Sequence, residues 1–190
     1  MKSKYHSKVI IGTWSLSGDL GKISKKNIYK SIEQSLSKNF YEFDTAPTYG
    51  SGKIETILGE ICNGEKKIKI NSKCGYNIHG TKTFALDDIK KSIDLSLKKF
   101  HKINTLFLHN PRNEIKNWSS LINFLLDYKR YKHVKNIGIS VARDYYFNKT
   151  IMNSLDYLQD EINLLIPQVI NKLKSFNLKI MARSPLASGC

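Results

Sequence analysis

Short apolar, β-rich runs alternate along this chain with longer stretches whose apolar residues recur every three to four positions. The runs fall at 9–13, 40–44, 67–73, 104–109, 134–140, 155–159 and 178–183, and their pattern predicts seven strands. Helical patterning falls at 26–38, 53–62, 86–101, 118–131, 145–153 and 167–176. In 86–101 the residues Ile89, Ile93, Leu97 and Phe100 form one apolar stripe, with lysines on the opposite face. Regular strand and helix alternation predicts a parallel sheet covered by helices, either open and doubly wound or closed into a barrel. The first strand ends in Gly12-Thr13-Trp14-Ser15 rather than in the glycine-rich turn of a dinucleotide-binding sheet, which favours the barrel. Gly50-Ser51-Gly52-Lys53 is not a phosphate loop, because Pro47 stands where its first glycine belongs and Ile54 replaces its hydroxyl residue.

Parallel strands deliver their last residues to a common rim. Asp44, Lys73 and His109 end three successive predicted strands, and Tyr49 sits on the loop after the first of them. Taken singly, Asp44 reads as a helix cap, Lys73 as a solvated strand end, Tyr49 as one of ten tyrosines and His109 as a half-buried imidazole. Four such residues on one rim read instead as an acid-base apparatus at a carbonyl-sized cleft.

The chain has 190 residues and no Pro/Ser-rich linker, so residues 1–190 are expected to form a single domain. Its net charge of +15 arises from 31 basic and 16 acidic residues, and all but four of the basic ones are lysine. The lysines are spread over most helices among asparagines and isoleucines, which fits an AT-rich genome better than a nucleic-acid-binding face. Cys62, Cys74 and Cys190 lack the C-x-x-C spacing of a zinc site or disulfide framework, which fits a reducing cytoplasm, and the five histidines form no i, i+4 pair. No metal and no membrane span is expected.

Asp44-Thr45-Ala46-Pro47-Thr48-Tyr49-Gly50, with Glu55 and Leu58-Gly59, resembles the signature of the aldo-keto reductase family. Gly12-Thr13-Trp14 resembles the family's first strand end, and Lys73, Leu106-Phe107-Leu108-His109, Gly138-Ile139-Ser140, Gln159 and Arg183-Ser184-Pro185-Leu186 with Gly189 resemble its later segments in the same order. The resemblance implies a (β/α)8 TIM-type barrel and an NADP(H)-dependent enzyme that reduces aldehydes or ketones, with Asp44, Tyr49, Lys73 and His109 as its catalytic residues. It also implies that Thr13, Ser140, Gln159, Arg183, Ser184, Leu186 and Gly189 line the cofactor. Reduction of a carbonyl needs a proton at oxygen, and Tyr49 is the expected acid. Lys73 at about 4 Å would attract the phenolate by roughly 4 kcal/mol at an effective dielectric of about 20, lowering the phenol from its ordinary value near 10.

Val141 follows Ser140 where many members have asparagine, and Arg183 stands where many stack an aromatic ring on the nicotinamide. Both departures resemble a branch associated with sugar and cell-surface polysaccharide biosynthesis, which implies a sugar-derived carbonyl substrate. The chain ends soon after the seventh predicted strand, so the barrel is expected to lack its last βα unit. Open strand edges of that kind imply low stability and coverage by a partner or a second copy. Two alternatives accompany this reading: an impaired reductase-like binding module, and a polyanion binder driven by net charge.

Overall fold

A computed structural model describes residues 8–62, 65–111, 115, 117–141, 149–173 and 176–187. Seven parallel strands follow one another in sequence order around a single curved sheet: β1 (Ile11–Gly12), β2 (Glu42–Asp44), β3 (Lys69–Cys74), β4 (Ile103–His109), β5 (Val134–Ser140), β6 (Tyr157–Glu161) and β7 (Lys179–Arg183). Helices α1 (Lys25–Ser37), α2 (Lys53–Cys62), α3 (Leu86–Phe100), α4 (Trp118–Arg130), α5 (Lys149–Met152) and α6 (Gln168–Leu173) occupy the crossovers. This is the α/β TIM-barrel arrangement, nearly closed, with β1 and β7 as the two edges of the sheet.

The helices form because each presents an apolar face to the sheet. α1 starts at Ser24, whose hydroxyl accepts from the Asn27 amide, and buries Ile28 and Ile32 against Phe43, Ile54, Ile57 and Leu58. α3 carries Asp87 and Asp88 in its first turn and Lys98 and Lys99 in its last, so its charges complement the helix dipole at both ends. Ile89 and Ile93 join a second cluster built on Leu106, Leu108, Ile137, Ile139 and Leu158.

Register places the rim. Asp44 lies opposite Asn71, Lys73 opposite Phe107, His109 opposite Ser140, and Ser140 opposite Gln159. Strand ends from β2 to β6 therefore reach the same end of the barrel. Gly50 permits the rim to close tightly: its φ is +56°, and a Cβ there would lie 3.0 Å from the Ser17 carbonyl oxygen of the neighbouring loop.

β6 begins two residues later than its sequence pattern predicts, at Tyr157, and continues through Gln159-Asp160-Glu161. The polar end is strand because it faces the rim and its partners, where alternation of apolar residues is no guide. β5 and α2 occupy the predicted residues. The part of the fifth predicted helix at 145–148 lies outside the described residues.

Candidate active site

β3 raises Lys73 into the barrel, where its side chain is 2% exposed. Its ammonium donates to Asp44 Oδ2 at 2.6 Å and to the Thr45 carbonyl oxygen at 2.9 Å. Lys73 Nζ lies 5.1 Å from the centre of the Tyr49 ring. Two of its three donors are thus taken up while the cation is desolvated, and the phenol of Tyr49 lies on its open side. Burial works against its charge, but the attraction and hydrogen bonds of Asp44 and Tyr49 outweigh it and hold the Lys73 pKa above the usual lysine value.

Tyr49 reaches the rim from a turn in which its amide donates to the Ala46 carbonyl. Its phenol does not titrate as the sequence predicts. Burial raises its pKa above 10, and although Lys73 and Arg183 pull the other way, with Asp44 adding to the rise, the balance stays upward. The Lys73 effect expected from sequence is present, but desolvation of the phenolate is the larger of the two.

His109 closes the group from β4. Its ring centre is 6.4 Å from that of Tyr49 and 5.2 Å from that of Tyr76, both edge-on. Burial and then the positive charges of Lys73, Arg183 and Lys82 lower its pKa to about 3. The imidazole is therefore neutral at ordinary pH, with one ring nitrogen able to donate and the other to accept.

Asp44 also faces the other half of the barrel. Its Oδ1 accepts from Gln159 Nε2 at 3.0 Å, which leaves Gln159 Oε1 buried and unpartnered. Ser140, 2% exposed, lies beside Gln159 at the end of β5. An orphaned amide oxygen next to a buried hydroxyl fits a carboxamide such as that of a nicotinamide. Thr13 is buried lower down, with both its amide and its hydroxyl bonded to the Asp44 carbonyl oxygen at 3.0 and 2.9 Å. These two bonds tie Thr13 to the end of β2.

Arg183 ends β7, and its guanidinium donates to the Val141 carbonyl at 2.9 Å, spanning the ends of β5 and β7. Ser184 is half-buried with φ +51°, and its carbonyl accepts from Asn163 Nδ2 at 3.3 Å. Leu186 is exposed, and Gly189 lies outside the described residues.

Two residues at this end of the barrel carry roles that their sequence context does not announce. Tyr76 walls the site beside His109, three positions past Lys73, where a strand-end aromatic is the available signal. Glu55 is completely buried: Oε1 accepts from Ser72 at 2.7 Å and Ser96 at 2.9 Å, while Oε2 pairs with Lys99 at 3.0 Å. It joins α2, β3 and α3 directly behind the rim. Among the described residues, no group of three or more His, Cys, Asp or Glu gathers as a metal ion would require.

Residues 8–190 match the family described as Aldo/keto reductase family. A curated relative, aldo-keto reductase YhdN of Bacillus subtilis (strain 168), is 37% identical over 110 residues, covering 57% of this chain and 27% of the relative. The chain therefore spans about a quarter of that relative's length. Among solved structures, the holo form of aldo-keto reductase AKR11C1 from Bacillus halodurans superposes with a TM-score of 0.78 at 16% identity, over 95% of this chain and 63% of that one. The glycerol dehydrogenase AKR11B4 from Gluconobacter oxydans gives 0.78 at 20% identity, over 96% and 61%. At such identities the structural likeness speaks for the fold.

Proposed function

Because this chain belongs to the aldo/keto reductase family, we propose that it is an NADP(H)-dependent oxidoreductase that reduces an aldehyde or ketone to an alcohol, with Tyr49 as general acid. The observation that carries this reading is the setting of Lys73, which is paired with Asp44 at 2.6 Å and lies 5.1 Å from the centre of the Tyr49 ring while buried near His109.

Reduction adds a hydride to the carbonyl carbon and a proton to its oxygen. The reduced nicotinamide supplies the hydride when bound. Tyr49 holds the proton, and its raised pKa keeps the phenol protonated through the neutral range. Lys73 stabilises the phenolate left after transfer, limiting the energetic penalty that burial imposes on that anion. Asp44 fixes the ammonium. Neutral His109 can donate a hydrogen bond to the same carbonyl oxygen and orient it toward Tyr49. Gln159 Oε1 and the Ser140 hydroxyl would hold the cofactor's carboxamide, with Arg183, Ser184 and Leu186 along its path and Gly189 beyond the described residues.

A cytoplasmic location accords with the free thiols of Cys62 and Cys74. No helix among the described residues is long and apolar enough to cross a membrane. The substrate is a small carbonyl compound, sugar-derived in this reading, and a partner or second copy would lie along the edges of β1 and β7.

The test is consumption of NADPH on mixing with a panel of aldehydes, against Tyr49→Phe and with NADH in parallel. Carbonyl-dependent turnover that disappears in the variant supports the reading. Equal rates in wild type and variant would sink it. Trp14, partly exposed on the loop after β1, reports cofactor binding independently through fluorescence quenching.

A further inference from the structure

The lysines that are spread along the sequence are not spread evenly over the surface. Parallel strands give the barrel two unlike ends: strand-to-helix loops surround the site, and helix-to-strand loops form the opposite end. Around the site, the charged residues of the described loops are Asp19, Lys22 and Lys82.

The opposite end is strongly basic. Lys38, Lys66, Lys67, Lys102 and Lys132 stand in its loops, and Lys69, Lys135 and Lys179 lie at the starts of the strands that follow. All eight are exposed. The carboxylates of the same described segments are Glu42, Glu65 and Asp156, and Asp156 is held by Lys129 of α4 at 2.7 Å. With Asp156 so matched, eight lysines stand against two carboxylates.

Helix C-termini favour cations, but that effect fades within the last turn, and α3 and α4 already carry Lys98, Lys99, Lys129 and Arg130 there. Lys102, Lys132 and Lys135 lie beyond those turns and exceed what the dipoles call for. Like charges gathered on one face repel one another, a cost that an anionic partner removes.

The shape of the patch selects the partner. Its lysines follow α1, α2, α3 and α4 and open β3, β5 and β7, so they lie around most of the ring of strands. They form a disc rather than a stripe. A planar surface meets a disc all at once, whereas a nucleic acid strand follows a stripe. Among the described residues of this end, Arg130 is the one guanidinium, and it pairs with Asp127 at 3.2 Å, so the patch consists of ammonium point charges rather than forks that grip single phosphates. Tyr131, 68% exposed between Arg130 and Lys132, adds an amphipathic ring of the kind that settles among lipid headgroups. Clusters of roughly four to eight lysines hold anionic bilayers.

We infer that the end of the barrel opposite the site is a docking surface for an anionic lipid bilayer, on which the protein lies without spanning it and with the site turned toward the aqueous phase. This docking is independent of the carbonyl-reductase reading.

Sedimentation of the full chain with phosphatidylcholine vesicles, with and without about a third phosphatidylserine, at low and at high salt, reads it directly. Binding should require phosphatidylserine and be lost at high salt. Lys66→Glu/Lys132→Glu reverses two charges on the face, and Lys26→Glu/Lys30→Glu makes the same change in net charge at exposed positions of α1. The first variant should bind phosphatidylserine vesicles about tenfold more weakly or worse, and the second should stay within about threefold of wild type. All four positions are exposed, so thermal unfolding should be the same for both variants and wild type. Equal loss of binding in the two variants overturns the inference, because net charge rather than this face would then be responsible. So does binding that ignores phosphatidylserine, or none at all. RNA held more tightly than the vesicles at equal phosphate concentration, and released by the first variant alone, would assign the face to nucleic acid and overturn the lipid assignment.

Discussion

Gln159 on β6 donates to Oδ1 of Asp44 on β2 at 3.0 Å, across the barrel and 115 positions apart in sequence, while the other oxygen of the same carboxylate holds Lys73 at 2.6 Å. One side chain thus ties the residues proposed to deliver the proton to the amide proposed to hold the nicotinamide. Replacing it disturbs both halves at once.

Asp44→Asn keeps the shape but removes the charge, and an amide nitrogen turned toward Lys73 would repel it. The larger of the attractions that raise the Lys73 pKa disappears, leaving Tyr49 alone to oppose the burial that lowers it. With Lys73 less charged, the phenolate of Tyr49 loses its partner, and kcat should fall by about 100-fold or more. NADPH affinity should fall as well, because Gln159 loses the carboxylate that orients it. Fluorescence titration and turnover on the same preparation check both; an unchanged Kd would leave Asp44 acting on Lys73 alone.

The strands and the motif residues at their ends are legible in sequence because both follow local rules: β-rich runs, helical stripes and the linear order of Asp44, Lys73 and His109. What local rules miss is burial of charge. Glu55 is visible in the sequence only as part of the family signature, and nothing local shows that it is fully buried, because Ser72, Ser96 and Lys99 arrive from positions 17 to 44 residues away. The phenol of Tyr49 fails in the same way. Its neighbour Lys73 is visible in the sequence, but the degree of desolvation, which decides the sign of the shift, depends on the packed barrel.

The pH profile separates the two titrating groups. Tyr49 must be protonated to donate, and its pKa lies above 10, so kcat for reduction should stay level through neutrality and decline only in alkali beyond that value. An ordinary histidine would add an inflection near 6.5, but His109 titrates at about 3 and should add none. A step near pH 6 to 7 in kcat that vanishes in His109→Gln would contradict the burial of the imidazole.

His109 also links stability to acid. Its folded pKa is below its unfolded one, so the unfolded chain binds the proton more tightly; the stabilisation is complete above about 6.5 and is lost as the pH falls toward 3. Each pH unit in that window removes about 1.4 kcal/mol. Urea unfolding at pH 7 and pH 5 should therefore show a wild-type loss roughly 2 kcal/mol larger than that of His109→Gln, in which nothing titrates at this position.

Lys99→Met tests the hub behind the rim. The variant leaves Glu55 completely buried with only two hydroxyl donors, and an uncompensated buried carboxylate costs about 3–5 kcal/mol. Glu55→Gln in the same background should recover part of that loss, because a neutral amide needs no counter-charge. Urea midpoints for the single and double variants measure the coupling, and equal stabilities for both would mean that solvent already reaches the carboxylate.

Gly138 in β5 leaves no room for a side chain. A Cβ added there would lie 2.7 Å from Cε1 of Phe107 and 2.7 Å from the Tyr157 carbonyl oxygen. Phe107 is fully buried and Tyr157 belongs to the paired strand, so neither can withdraw without opening the β4–β5–β6 ladder. Gly138→Ala should then destabilise the fold by about 1–3 kcal/mol, despite the usual gain from replacing a flexible glycine in a strand. Ser140, two residues on, pairs with both His109 and Gln159, so a shift of β5 would reach the site. Pairing the alanine with Phe107→Leu, which removes the clashing ring edge, should recover stability, and thermal unfolding of the two variants decides whether the ring or the carbonyl sets the limit.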